Sequence, residues 1–251
     1  LPMAGASAPI LLLPRLLRPR RAAVLSPTYN EHAASLRAAG CEVSTPAQVQ
    51  ALAGADLAVV VNPNNPDGRC FSPGEIAEIA GRCRWLIVDE SFADPRPDLS
   101  VAGLGLPNVI VLRSFGKFWG LAGLRLGFAI GPPEVLDGLQ ELAGPWPVSG
   151  PALEIGVIAL ADRTWASETV TWLSEAALRL DQLALRAGFQ LVGGAHLFRL
   201  YQTGDAIATQ ARLAQAQIWS RVFPYHPGWI RLGIPGNSGE FDRVGAALND
   251  L

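Results

Sequence analysis

The sequence contains little lysine, and its net charge is small. Its 251 residues include one lysine, Lys117, against nineteen arginines, and Asp plus Glu number 22, so the net charge is −2 and the isoelectric point is near 5.9. A chain without an excess of positive charge carries no electrostatic footprint for nucleic acid or for an anionic membrane. The composition therefore argues against a nucleic-acid-binding or membrane-binding protein.

Cysteine is also scarce, and its pattern excludes two classes of site. Cys41, Cys70 and Cys83 are odd in number and form no C-x-x-C pair, so neither a disulfide framework nor a zinc site is indicated. Such a pattern suits the reducing cytoplasm. Long apolar runs are absent as well: the run "APILLLP" at 8–14 is too short to span a bilayer.

Short apolar runs alternate with helix-like stretches in the first part of the chain. The runs are rich in Val, Ile and Leu and end in polar, Pro or Asn residues, as buried parallel strands do. They lie at 21–27, 56–63, 84–90, 108–114 and 125–131. Between them, Ser72, Pro73 and Glu75 form a helix start, so a helix is predicted over 72–83. This alternation predicts a doubly wound α/β layer.

The composition changes at 144–151, "GPWPVSGP", which is dense in helix breakers. A long helix is predicted after it, from about Pro151 to Ala187. Strand-like segments and helices then alternate to the C-terminus. We therefore predict a large α/β domain over residues 1–147 and, over residues 148–251, an interdomain helix followed by a small α+β domain.

Polar residues of complementary chemistry follow four of the predicted strands. They are Asn65, Asp89, Ser114 with Lys117, and Arg125. Ligands of open α/β sheets bind at the carboxyl ends of the strands. A nitrogen heterocycle that serves as an electron sink needs a carboxylate at its ring nitrogen, a lysine at its aldehyde and an anion site for its phosphate. Lysine can supply the amine because, unlike arginine, it loses its proton at attainable cost.

The segments "NPNNPDG", "DESF", "SFGKFWGLAGLRLG" and "WIRLG" resemble the fold-type I pyridoxal-phosphate (PLP) enzymes, the aspartate aminotransferase superfamily. The similar segments span residues 26 to 235. The resemblance implies a mostly parallel sheet in the large domain and a small C-terminal α+β domain. It also implies a small molecule as substrate, pyridoxal 5'-phosphate as cofactor and a homodimer whose sites borrow residues from the partner.

The resemblance assigns catalytic and cofactor roles to particular residues. Lys117 would form the Schiff base with the cofactor, and Asp89 would pair with the pyridinium nitrogen. Asn65 would hold the phenolic oxygen, and Tyr29 would stack on the ring. Tyr29 can also be read as an ordinary turn residue that follows Pro27.

The cofactor phosphate would be bound by a second group of residues. Ser114 and Arg125 match the phosphate-binding positions of the family. Gly5, Ala6 and Ser7 correspond to the glycine turn whose backbone N–H groups meet the phosphate at a helix N-terminus.

Three further residues are candidates for contact with the substrate. Arg231 matches the arginine that holds the substrate α-carboxylate in a two-pronged hydrogen bond. A phosphorylated amino acid needs a second anion site, for which Arg221 and His32 are the candidates. His196 and His226 are interpreted as structural, and no metal site is expected.

Phe92 bears on which reaction is catalysed. The histidinol-phosphate aminotransferase branch usually has "DEAY" where this chain has "DESF", so Phe92 replaces a tyrosine hydroxyl donor. Phenylalanine there resembles the L-threonine-O-3-phosphate decarboxylases of cobalamin biosynthesis, which make aminopropanol phosphate. The alternative is that transamination of the histidinol-phosphate type is retained and Phe92 is incidental.

Two further alternatives stay open. The N-terminal segment usual in this superfamily is expected to be missing or reduced to residues 1–8, so the chain could be a truncated, inactive binding or regulatory relative. A nicotinamide-binding Rossmann domain is disfavoured, because no G-x-G-x-x-G follows a strand and opens a helix.

Overall fold

The structure is a computed structural model that describes residues 1–249, and it divides into two compact units. The first unit comprises Leu1–Asn65 and Cys70–Asp162. The second comprises Pro66–Arg69 and the chain from Arg163 onward. The division predicted after residue 147 lies earlier in the chain than the boundary at Asp162.

The first unit is built on a seven-stranded sheet. Its strands are β1 (Pro2–Ala4), β2 (Arg21–Val24), β3 (Glu42–Ser44), β4 (Leu57–Val61), β5 (Trp85–Asp89), β6 (Val109–Ser114) and β7 (Leu126–Ile130). Their order across the sheet is β1-β7-β6-β5-β4-β2-β3. Strands β2 to β6 pair in parallel, whereas β7 is antiparallel to both β6 and β1. The carboxyl ends of β4, β5 and β6 consequently meet at one edge of the sheet.

Helices cover both faces of this sheet. They are α1 (Ser7–Leu17), α2 (Asn30–Ala38), α3 (Pro73–Ala80), α4 (Pro133–Ala143) and α5 (Gly150–Ala161). Alternate strand residues enter two separate cores, because successive side chains of a strand point to opposite faces. Val59 packs with residues of α1, α2 and α4, while Val60 packs with residues of α3. Both faces are buried, so the strands are continuously apolar.

The predicted elements of the first unit are confirmed in type and place. All five predicted strands are present, and α3 begins with the expected capping box, in which Ser72 and Glu75 each accept from the other's backbone N–H. Such a cap stabilises a helix by about 1 kcal/mol. Strands β1 and β3 were not predicted, because each has three residues and neither shows a full period of alternation.

The second unit packs helices on a four-stranded antiparallel sheet of order β10-β11-β9-β8. Its elements are α6 (Arg163–Arg186), β8 (Gln190–Ala195), β9 (Phe198–Gln202), α7 (Ala206–Gln215), β10 (Arg221–Phe223), β11 (His226–Gly233) and α8 (Ser238–Asn249). Leu180, Tyr201, Ile230 and Phe241 lie in its core. The α/β class with a mostly parallel large sheet and a smaller α+β part is confirmed.

The single long helix predicted over about 151–187 is wrong. The chain forms α5 and α6 instead, and Asp162 between them has φ −81° and ψ 75°, outside the helical region. The two helices belong to different units. Within residues 1–249, no helix combines the length and the apolar character needed to cross a membrane.

Candidate active site

A cavity in the first unit lies at the carboxyl ends of the central strands. Nine residues were assigned to the catalytic and cofactor-binding groups, and all of them but Gly5 line it, namely Ala6, Ser7, Tyr29, Asn65, Asp89, Ser114, Lys117 and Arg125. Asp89 and Ser114 are the last residues of β5 and β6, which are neighbours in the sheet. The fold therefore brings together side chains that lie far apart in the sequence.

Asp89 is held rigidly at the inner side of the cavity. Its side chain is buried, and the residue is 3% exposed. One carboxylate oxygen, Oδ2, accepts from His32 Nε2 at 2.8 Å. The other, Oδ1, accepts from the backbone N–H of Ser91 at 3.0 Å and from the Ser91 hydroxyl. Carboxylate oxygens have about four lone-pair sites, so Asp89 can accept a further hydrogen bond from a group in the cavity.

The surroundings of Asp89 keep it ionised. Burial alone would raise the pKa of this carboxyl, but the hydrogen bond and charge of His32, followed by the two hydrogen bonds from Ser91, outweigh it. The pKa of Asp89 is therefore below its ordinary value. A buried anion at this place suits a ligand that presents a protonated ring nitrogen.

His32 does not occupy the substrate-contacting position expected for it. It is 2% exposed, lies on α2 behind Asp89 and is not among the residues that line the cavity. Since an ionised carboxylate only accepts, Nε2 of His32 is the donor to Asp89. His32 thus orients Asp89, and the ring of Tyr29 packs edge-on against it with the centroids 6.1 Å apart.

Lys117 lies on a tight loop between β6 and β7. The backbone N–H of Gly120 donates to the carbonyl of Lys117 at 3.0 Å, and that of Leu121 donates to the carbonyl of Phe115 at 3.1 Å. The lysine ammonium lies over the ring of Phe92, 5.4 Å from its centroid. Phe92 therefore forms an apolar wall of the cavity next to the amine.

The opposite side of the cavity is suited to an anion. The first residues of α1 line it, and no side chain caps that helix end, so its positive dipole end faces the cavity. Gly5 has φ +73°, and a Cβ on it would lie 2.6 Å from Nη2 of Arg125. Glycine is required here on both counts, since a side chain would displace the guanidinium. Ser114 and Arg125 add a hydroxyl and a positive charge.

Arg231 and Arg221 lie in the second unit, directly opposite each other on β11 and β10. The guanidinium of Arg231 lies over the ring of Phe198, 5.1 Å from its centroid. Burial first, and then the charge of Arg221, lower the pKa of Arg231. Two like charges in register repel, so an anion between them would relieve that repulsion. His226 stacks on Trp229 with the ring planes 14° apart, in agreement with a structural role.

Sequence reasoning missed one group that acts directly on the site. Ser91 donates twice to Asp89, and the available signal was its place two residues after an aspartate, where Asx-type hydrogen bonds form. No equivalent signal linked His32 to Asp89, because 57 residues separate them.

This fold and this site define a class of protein. The sequence matches the class I and II aminotransferase family over residues 1–248, and the chain belongs to that family. It is 43% identical to a threonine-phosphate decarboxylase of Sinorhizobium sp, over 99% of this chain and 76% of the relative. It is 42% identical to a threonine-phosphate decarboxylase of Pseudomonas aeruginosa, over 99% and 77%. A histidinol-phosphate aminotransferase of Mycobacterium tuberculosis is 38% identical over 82% of this chain and 60% of the relative.

Solved structures share the fold. The histidinol-phosphate aminotransferase of Sinorhizobium meliloti, determined with pyridoxal-5'-phosphate, gives a TM-score of 0.90 at 21% identity, over 99% of this chain and 75% of that one. The L-threonine-O-3-phosphate decarboxylase of Porphyromonas gingivalis gives 0.85 at 19% identity, over 100% and 82%. At these identities the likeness concerns the fold.

Proposed function

We propose that this chain is a PLP-dependent decarboxylase of L-threonine O-3-phosphate. The reaction breaks the bond between Cα and the carboxylate, releases CO₂ and places a proton on Cα, which yields aminopropanol phosphate. The observation that carries the proposal is the identity of 43% and 42% to two threonine-phosphate decarboxylases over 99% of the chain. An enzyme with this activity serves cobalamin biosynthesis, as the sequence resemblance implies.

The residues of the cavity fit pyridoxal phosphate. The donor set offers an ionised carboxylate at Asp89, an amine at Lys117, and an anion site of Ser114, Arg125 and the N-terminus of α1. These match, in order, the ring nitrogen, the aldehyde and the phosphate of the cofactor. When bound, the cofactor supplies the electron sink that takes up the electron pair left on Cα.

The side chains of this protein would position the cofactor and the substrate for the reaction. Asp89 would accept the N–H of the ring nitrogen, and Tyr29 and Asn65 line the same cavity. Lys117 Nζ would hold the aldehyde carbon of the cofactor, and its amine is the group that would move a proton at Cα. Phe92 places an apolar ring beside that amine. Within the second unit, Arg231 and Arg221 form a pair of cations in register that would suit the carboxylate and the phosphate of a phosphorylated amino acid.

The second candidate is an aminotransferase of the histidinol-phosphate type. It is favoured by the 38% identity to the Mycobacterium tuberculosis relative, although that match covers less of this chain than the decarboxylase matches do. The same cavity would serve, because the cofactor-binding residues are common to both activities.

One assay separates the two activities. The purified chain is loaded with pyridoxal phosphate and given L-threonine O-3-phosphate, first alone and then with 2-oxoglutarate. We expect CO₂ to be released in proportion to substrate consumed, with no glutamate formed. Glutamate without CO₂ would establish the aminotransferase instead. Failure to take up the cofactor would favour the inactive binding relative.

We further propose a homodimer and a cytoplasmic location. Helix α5 is apolar except for Glu154, and Val157, Ile158 and Leu160 are exposed on it. Contiguous exposed apolar surface of this kind is typical of a subunit interface. The cytoplasmic location is supported by three free thiols, which suit a reducing compartment.

Ile158→Glu is expected to weaken the dimer. A carboxylate placed in an apolar interface stays unpaired, so dissociation should become easier by roughly 10-fold or more. Sedimentation equilibrium at micromolar concentration measures the change. Ile207→Glu is the matched control, since Ile207 on α7 is 68% exposed and Ile158 is 69% exposed. If Ile158→Glu forms the dimer as tightly as wild type, α5 is not part of the interface.

A further inference from the structure

A buried ionic network lies on the other side of the sheet from the catalytic residues. Glu90 directly follows β5 and continues its pairing with β6 through the hydrogen bond from its N–H to the Leu112 carbonyl, and Arg113 precedes Ser114 on β6. Because successive side chains of a strand point to opposite faces, Glu90 and Arg113 point away from the cavity that Asp89 and Ser114 line. Glu90 and Arg113 are therefore immediate chain neighbours of the cavity residues Asp89 and Ser114.

Arg113 bridges two carboxylates. Its Nη1 donates to Glu90 Oε2 at 2.9 Å, and its Nη2 donates to Asp94 Oδ1 at 2.6 Å. Glu90 is fully buried and also accepts from the Ser100 hydroxyl at 2.6 Å and the Val101 N–H at 2.8 Å. Burial alone would lower the pKa of Arg113, but the charges and hydrogen bonds of Asp94 and Glu90 outweigh it and raise the pKa. The cation is thus fixed in charge and in place.

The network reaches the loop that carries Lys117. The indole Nε1 of Trp119 donates to Asp94 Oδ1 at 3.2 Å, the same oxygen that accepts from Arg113. Trp119 also stacks on Phe115, with centroids 5.5 Å apart and planes at 16°. Phe115 and Trp119 stand two residues before and two residues after Lys117, so anchoring this stacked pair restrains the lysine backbone on both sides.

We infer that Glu90, Arg113, Asp94 and Trp119 are positioning residues for Lys117. They lock the loop of the lysine to strands β5 and β6, which carry Asp89 and Ser114, so the amine keeps its place relative to the carboxylate. A displacement of about 1 Å of a reacting group can cost 10²-fold in rate, which is the physical reason for such a restraint. The inference rests on the proposed role of Lys117 as the amine that bonds the cofactor.

Two conservative variants test it. Trp119→Phe keeps an aromatic ring to stack on Phe115 but removes the N–H that reaches Asp94. Asp94→Asn removes the charge that pairs with Arg113 and keeps the side-chain shape. The matched control is Asp98→Asn, which breaks the exposed ion pair with Arg96 in the same loop region but has no link to Lys117.

The single lysine allows a readout that needs neither cofactor nor turnover. A chain labelled with ¹³C-lysine gives one set of side-chain NMR signals, all from Lys117. In cofactor-free protein we expect Trp119→Phe and Asp94→Asn to move the Cε signal toward that of a free lysine, because the loosened loop averages over rotamers. In the loaded enzyme we expect kcat to fall roughly 10-fold, with KM within about twofold of wild type. Asp98→Asn should change neither the Lys117 Cε signal nor kcat.

The outcomes are distinguishable. Variants with a lower melting temperature but an unchanged Lys117 signal and unchanged kcat would overturn the inference and leave the network a structural one. If the wild-type chain takes up no cofactor, the proposed function fails, and the NMR comparison in cofactor-free protein still decides whether the network positions the lysine.

Discussion

Lys117→Arg is expected to give a folded, charged and inactive chain. The guanidinium keeps the positive charge but does not lose its proton at attainable cost, so it cannot bond the aldehyde carbon of the cofactor. We expect kcat to fall by roughly 10³-fold or more. The visible absorbance of the cofactor should be lost from the chain on gel filtration. CO₂ release at saturating substrate, the absorbance spectrum and the melting temperature together measure the effect.

Arg37→Lys is the control for Lys117→Arg. Arg37 is exposed on α2, so this variant adds an amine at the surface and leaves Lys117 in place. It should behave as wild type, and adding it to Lys117→Arg should not restore turnover, because the position of the amine matters and the number of amines does not. Retained cofactor absorbance and turnover in Lys117→Arg would show that the assignment of this lysine is wrong.

Asp89→Asn is expected to have the second largest effect. Asparagine keeps the size of the side chain but removes the charge that is proposed to face the ring nitrogen of the cofactor. Removing one electrostatic partner of a developing charge typically costs roughly 10²–10³-fold in kcat. Steady-state CO₂ release measures the loss. Asp205→Asn is the control, because Asp205 caps α7 by accepting two backbone N–H groups and asparagine caps helices equally well.

Asp89→Asn should also change how the free energy of unfolding depends on pH in the acidic range. The pKa of Asp89 is lowered in the folded chain, so its contribution to the free energy of unfolding is fully present above the unfolded pKa of about 3.9 and is lost as pH falls through the folded value. The difference in free energy of unfolding between wild type and Asp89→Asn should therefore shrink as pH is lowered below about 4. Urea unfolding at several pH values measures it. A difference that does not change with pH would mean that Asp89 is not an ionised, stabilised group.

Much of the first unit could be predicted because its signals are local. Strands β2, β4, β5, β6 and β7 each follow from a short apolar run with a polar end, and α3 follows from Ser72, Pro73 and Glu75. Local signals fail where an element is short or where its end depends on packing. Strands β1 and β3 were missed for the first reason, and the end of α5 at Asp162 was missed for the second, since no proline or glycine stands there.

The cavity residues could also be predicted, some from their place at strand ends and others, namely Tyr29, Ala6 and Ser7, from the family resemblance alone. Residues at the carboxyl ends of neighbouring parallel strands must meet at one edge of the sheet, and this rule alone places Asp89 near Ser114. Periodicity does not say which side chain then pairs with which. His32 illustrates the limit: its place after Tyr29 suggested contact with the substrate, whereas the packing of α2 buries it against Asp89.

The amino-acid order of this chain thus specified strands β2 and β4 to β7, the family resemblance and the sole lysine that the proposed chemistry requires. Only the tertiary structure decided the antiparallel direction of β7, the pairing of His32 with Asp89 and the network from Glu90 to Trp119. The physical reason is that backbone preference and hydrophobic period act over a few residues. A hydrogen bond or ion pair between distant residues forms only after the sheet has brought their strands and loops together.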